Sequence, residues 1–159
     1  ADEPARGTDI TFTRAYVEIE ATFAVPDASS IRTIADVDRP GVRVASVARA
    51  AYTLYLQRTL RHATVTEVTG PASTPGGFQA AGFDVLASLK PWLVRDVPTV
   101  PAVRTLDGRF TAVQQSIAIR RSRTAGAAYL AAFVDDITHS GLLQGLIERH
   151  GAHGLLVVP

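Results

Sequence analysis

The hydrophobic pattern of this chain changes period within one stretch, residues 41 to 61, and its neighbours are read outward from there. After the breaker pair Pro40-Gly41, Val42, Val44 and Val47 form a β-branched run that predicts a short buried strand. Beyond Ala48 the apolar positions shift to a spacing of four, Tyr52, Leu56 and Leu60, with Tyr55 and Thr59 beside them. That spacing predicts an amphipathic helix. Upstream, residues 17 to 25 alternate: Val17, Ile19, Ala21, Phe23 and Val25 face one way, Glu18, Glu20 and Thr22 the other. The alternation predicts a half-buried strand, ended by Pro26. Ile31 to Val37 reads as a short helical turn anchored by Ile34 and Val37, and residues 1 to 9 as polar and turn-like.

Downstream, Ala63 to Val68 predicts a second short strand and Gly70 to Gly77 a loop, with Phe78 to Gly82 making one or two helical turns. Phe83 to Leu89 predicts a strand closed by Lys90-Pro91, and Trp92 to Val100 a Pro-bounded helical turn. Arg109 to Ile119 reads as the longest strand, following the Asp107-Gly108 turn signal. The last third differs. Thr124 to His139 places Tyr129, Phe133 and Ile137 four apart, with Leu130 and Val134 alongside. After Gly141, a second stripe runs through Leu142, Leu143, Leu146 and Ile147. Two consecutive amphipathic helices thus follow an alternating β/α region, so the pattern predicts an α/β fold.

Composition narrows the chemistry. The 159 residues suffice for a real core, 47% hydrophobic and 19% charged being ordinary for a globular protein. A net charge of +1 gives no argument for nucleic acid. Cys is absent, which excludes disulfides, thiolate metal sites and thiol catalysis. Met is absent too, even at position 1, so the chain is expected to be a processed, trimmed or internal piece of a longer product. No apolar run approaches the roughly 20 residues that span a bilayer.

Candidate chemistry concentrates at the strand-to-helix turn. Unpaired N–H groups at a helix start, the helix dipole and the charge of Arg49 together point to an anion pocket at Arg49 to Tyr52. The four histidines assemble into no metal set, and no nucleophile elbow or Gly-rich phosphate loop is present. No cofactor is expected. Glu18 and Glu20 share one strand face, where a solvated role outweighs acid/base chemistry.

The order of several short motifs resembles bacterial extracellular (periplasmic) solute-binding proteins of ABC importers, amino-acid type. The opening Glu-Pro-Ala-Arg-Gly-Thr-Asp-Ile-Thr-Phe-Thr-Arg-Ala-Tyr is similar to that family's Pro-Glu-Arg, spacer, Phe-Ser/Thr-x-Pro-Tyr segment. Arg6 matches its arginine, and Phe12, Thr13 and Tyr16 its aromatic-hydroxyl-tyrosine frame. Ile34-Ala35-Asp36-Val37 followed by Gly41-Val42-Arg43-Val44 is similar to the entry into the second lobe. Gly82-Phe83-Asp84-Val85-Leu86 resembles the family's Gly-x-Val-Asp-Ala-Val strand, and the closing helix pair its ending.

The resemblance implies a type 2 periplasmic-binding fold with most of the first lobe missing. Residues 17–115 would form the second α/β lobe with its crossover strands. Residues 1–16 and 116–159 would be the remnant of the first lobe. It implies capture of a small anionic solute between two lobes, periplasmic localisation, and a membrane permease as partner. The implied ligand-binding residues are Arg6, Tyr16, Glu18, Arg49, Ala50, Ala51, Tyr52, Ser88, Lys90, Trp92 and Gln115. Where the family offers Gly-Ser or Gly-Thr at the helix turn, this chain has Arg49-Ala50-Ala51, and Leu89 replaces the Asp that holds a ligand ammonium. A carboxylate without an amine therefore suits the site better. Asp84 reads as a structural strand-start residue. The helix stripes would leave a large exposed apolar patch, so a homodimer, a segment swap or a missing partner segment is expected. An enzyme of the dehydratase kind and a sensory module remain alternatives on the same fold.

Overall fold

The computed structural model describes residues 9–158. In chain order the elements are β1 (Ile10–Phe12), β2 (Val17–Pro26), a 3-10 turn (Ile34–Val37), β3 (Arg43–Val47), α1 (Ala51–Thr59) and β4 (Thr64–Val68). A 3-10 turn (Gly70–Ser73), β5 (Val85–Leu89), α2 (Lys90–Asp96), a 3-10 turn (Val97–Thr99) and β6 (Val103–Thr105) come next. The chain ends with β7 (Thr111–Gln115), β8 (Ala118–Arg120), α3 (Thr124–His139), α4 (Leu142–Arg149) and β9 (Leu155–Val157). They fall into two compact units: Glu20–Ala112, and the flanking segments up to Ile19 and from Val113 onward.

In the Glu20–Ala112 unit the sheet runs β4-β3-β5-β2-β6. It is mixed: β3 lies parallel to β4 and β5, while β2 is antiparallel to β5 and β6. The α/β expectation is met, and the parallel β3–α1–β4 unit follows from the change of period at Ala48. Phe78, Leu86, Leu93, Val97 and Val103 pack with Ala24 and Ala45 into one apolar cluster. Phe23 stacks on Phe110 with ring centroids 4.4 Å apart.

The alternation in residues 17–25 does not mean a half-buried strand here. From Ala21 to Val25 every residue of β2 is buried, Thr22 and Ala24 included. Thr22 can sit inside because its hydroxyl donates to the Leu106 carbonyl at 3.1 Å. β2 lies between β5 and β6, so it is an interior strand rather than an edge.

Two other expectations are corrected. The strand does end before Lys90-Pro91, but the helical turn expected from Trp92 starts earlier: α2 begins at Lys90 with Pro91 in its first turn. A proline loses nothing there, because its missing N–H would have had no intrahelical acceptor. The single strand expected over Arg109–Ile119 is two: β7 pairs with β2, whereas β8 pairs with β1. The change of partner falls at Ser116–Ile117, where the Ile117 N–H donates to Thr13 Oγ1 at 3.1 Å and its carbonyl accepts from Thr13 N at 2.9 Å. The longest strand is instead β2.

The flanking unit holds the β1–β8 pair, β9 against the start of β2, and the helices α3 and α4. Arg14 anchors it, its Nε donating to Asp135 Oδ1 at 2.6 Å. Of the α3 stripe, Val134 and Ile137 are buried, whereas Tyr129 (70% exposed) and Phe133 are open. Among the described residues, no helix is long and apolar enough to cross a membrane.

Candidate functional site

The turn between β3 and α1 is built from the inside. Thr53, in the first turn of α1, donates its hydroxyl to the Val47 carbonyl at 2.6 Å and lies 2.7 Å from Ser46 Oγ. Since the Thr53 proton is committed to Val47, Ser46 is the donor in that pair. Both side chains are fully buried, so the end of the strand and the start of the helix are locked together. Between them Arg49 adopts a left-handed backbone, φ 61, which lets the chain reverse into Ala50 and the helix.

Ala50 is the N-cap of α1 and makes no side-chain capping bond. Alanine is a poor residue for that position, and the amides of Ala51 and Tyr52 have no intrahelical acceptor. The helix therefore presents donors and its positive dipole end at the corner where Arg49 adds a cation.

Beside this corner lies a cavity of ≈ 310 Å³. Its wall combines Val47 and Ser88 from the carboxyl ends of β3 and β5, Tyr52 from α1, and Ser73, Thr74 and Pro75 from the following loop. Trp92, Leu93, Arg95 and Asp96 of α2 complete it. In open α/β sheets ligands bind at the carboxyl ends of strands. Burial pushes the Tyr52 phenol above its ordinary value, partly offset by a hydrogen bond with Ser88. Trp92 is 50% exposed, with the Arg95 guanidinium 4.6 Å from its ring centroid.

Of the residues singled out from the sequence, Tyr52, Ser88 and Trp92 line this one cavity, and Arg49, Ala50 and Ala51 form the turn leading into Tyr52. Lys90 is an ion-pair partner: its Nζ lies 2.6 Å from Glu20 Oε2. Asp84 accepts from the Arg43 backbone amide at 2.9 Å, tying the starts of β3 and β5 together. Tyr16, Glu18 and Gln115 belong to the flanking unit, with Tyr16 N donating to Gln115 O at 3.0 Å. Arg6 lies outside the described residues. Among the described residues no cluster of His, Asp or Glu is placed to hold a metal ion.

Sequence reasoning missed Ser73, Thr74, Pro75, Arg95 and Asp96. The helical spacing of Trp92 and Arg95, three apart, was the available signal for the cation–π contact. The 73–75 wall carries no such periodic mark.

No protein-family model matches the sequence, and no curated protein matches it either. Solved structures do. The ligand-binding core of GluR0 in complex with L-glutamate superposes with a TM-score of 0.75 at 17% identity, over 94% of this chain and 68% of that one. An amino acid ABC transporter substrate-binding protein from Streptococcus pneumoniae, bound to L-arginine, gives 0.71 at 14% identity over 93% and 63%. An ancestral amino acid-binding protein described as a precursor of cyclohexadienyl dehydratase gives 0.69 at 21% identity over 93% and 64%. This chain therefore has the mixed α/β periplasmic-binding-protein-like fold. It spans less than two thirds of the length of the latter two chains.

Proposed function

We propose that this chain is a solute-binding protein of an ABC importer, or a fragment of one, and that it captures a small carboxylate of amino-acid size. In this reading Glu20–Ala112 is the second lobe and the flanking unit belongs to the first. The observation that carries it is the start of α1: Ala50 supplies no cap, and Arg49 stands immediately before the open amides of Ala51 and Tyr52. A carboxylate seated there would act as the missing cap and meet the positive end of the dipole. The fold shared with amino-acid-binding proteins supports the same reading.

Several features follow from it. Leu89, the N-cap of α2, brings no charge to an ammonium, which favours a carboxylate lacking the α-amine. Glu20 and Asp96 each face a cation at contact distance, which supports reversible capture over acid/base catalysis. A membrane permease is the partner and the periplasm the compartment. A second copy or a swapped segment covers the exposed Tyr129, Phe133, Leu142 and Leu146.

A thermal-shift screen with carboxylates, amino acids and phosphorylated compounds tests the reading. The expected result is a selective stabilisation by a carboxylate that grows with its concentration. A screen in which no carboxylate stabilises the chain overturns it. Consumption of the stabilising compound would replace capture with catalysis.

A further inference from the structure

The cavity beside Trp92 has a wall without net charge. Arg95 and Asp96, its two ionic members, satisfy each other through Nε to Oδ1 at 2.5 Å and Nη2 to Oδ2 at 2.9 Å. The guanidinium holds the Asp96 carboxyl below its ordinary value, so the two are ionised together at neutral pH and cancel. Arg95 also lies over the Trp92 ring, yet half of that side chain's surface stays open.

The other polar groups on the wall are hydroxyls. Ser73 donates to the Gly70 carbonyl at 2.7 Å and Thr74 to the Pro71 carbonyl at 2.8 Å. Their protons are thus committed and their oxygens are left as acceptors. Tyr52 and Ser88 add two more uncharged hydroxyls. The wall therefore offers an aromatic surface and neutral acceptors. It offers no uncompensated carboxylate for a cationic side chain, and desolvating such a cation here would go unrewarded. A flat uncharged group has the opposite balance: it gains contact with the indole and gives up little hydration.

We propose that the cavity at Trp92 receives an uncharged planar ring, the non-ionic end of the carboxylate solute, and rejects cationic side chains. The inference rests on the solute-binding reading above, in which the start of α1 takes the carboxylate. The volume of ≈ 310 Å³ is enough for one ring.

Trp92 is the single tryptophan of the chain, so fluorescence excited where tryptophan but not tyrosine absorbs reports this cavity. The experiment titrates the full chain with 3-phenylpropionate, propionate and L-arginine, following fluorescence and, in parallel, calorimetric heat. Expected is a saturable Trp92 signal with 3-phenylpropionate at about tenfold tighter affinity than either other probe. In Trp92→Ala, calorimetry should find the advantage over propionate gone. Because that variant removes a half-exposed side chain, Arg95→Ala provides a second test. It uncovers the Asp96 carboxylate, and L-arginine affinity should rise by about fivefold.

Equal affinities for 3-phenylpropionate and propionate, or tighter binding of L-arginine by the unmodified chain, overturn the ring inference and leave the solute-binding reading standing. No saturable binding of any probe overturns both.

Discussion

Lys90 Nζ sits 2.6 Å from Glu20 Oε2, and Arg109 Nη1 lies 3.8 Å from the other oxygen of the same carboxylate. The antiparallel register that sets Ala21 opposite Leu89 brings the two elements together at this point. A residue that sequence pattern offers as an anion ligand thus has its charge met from the neighbouring strand. Glu20→Gln should release the ammonium and tighten carboxylate binding about threefold at low salt, an effect that fades at high salt. The same change should lower stability by about 1 kcal/mol, since Glu20 is mostly buried while Lys90 is about a third exposed. Calorimetry at two salt concentrations and a urea melt read the two effects; unchanged affinity would remove Lys90 from the ligand set.

Asp38 closes the α1–β4 connection by accepting from three successive amides, Arg61 at 3.0 Å, His62 at 2.7 Å and Ala63 at 3.0 Å. Those bonds, that of Ala63 foremost, hold its carboxyl below the ordinary aspartate value of 3.8. A depressed carboxyl stabilises the fold above its unfolded value and loses that contribution as pH falls through the lower folded one. Asp38→Asn should therefore melt below the unmodified protein near neutral pH, with the gap closing as pH drops beneath 3.8. Thermal melts across acid pH check this, and a pH-independent gap would show that the charge of Asp38 is not what the amides hold.

Arg49 occupies a backbone region, φ 61, that costs a non-glycine residue about 1–2 kcal/mol. Arg49→Gly relieves that strain while adding about 0.5–1 kcal/mol of chain entropy to the unfolded state. The expected net result is a gain of about 0.5–1 kcal/mol in stability. If the guanidinium also serves the anion corner, carboxylate affinity falls in the same variant. Stability and affinity moving in opposite directions, by denaturant melt and calorimetry, is the signature to look for; affinity that holds steady would make Arg49 a turn residue only.

Ser46 and Thr53 form a buried hydroxyl pair whose removal by halves should be worse than removal entire. Thr53→Val leaves the buried Ser46 hydroxyl without its partner, while the Val47 carbonyl keeps the Ala50 N–H at 3.2 Å, and should cost about 1–3 kcal/mol. Adding Ser46→Ala should recover part of that loss, because the orphaned hydroxyl disappears with it. A double-mutant cycle by chemical denaturation measures the coupling, and simple additivity would contradict the pairing.

Tyr129 and Phe133 stack with centroids 6.4 Å apart on the open face of α3, near in sequence to the exposed Leu142 and Leu146 of α4. If a second copy covers them, light scattering should give about twice the monomer mass of 16.9 kDa. Phe133→Glu combined with Leu146→Glu should return the protein to a monomer. A monodisperse monomer for the unmodified chain would rule out the self-covering arrangement.

Local pattern carried far along this chain. The spacing of four from Tyr129 to Ile137 marked α3, the alternation after Val17 marked β2, and the change of period at Ala48 placed the β3–α1 corner, since these reflect geometries each segment adopts by itself. What α3 buries was not legible: Val134 and Ile137 turn inward while Tyr129 and Phe133 of the same stripe stay open, and periodicity gives a face but not its neighbours. Nor was the break at Ser116–Ile117, where a continuous β-prone run changes partner strand. The pairing of Glu20 with Lys90, the neutralised Arg95–Asp96 wall and the loop at Ser73–Pro75 that closes the cavity were likewise decided in three dimensions. Each joins the site through register or packing between elements, and register depends on residues distant in sequence. The amino-acid order by itself determined most of the longer helices and strands and the corner at Arg49; only the tertiary structure decided which charges are already answered and which surface is left for a ligand.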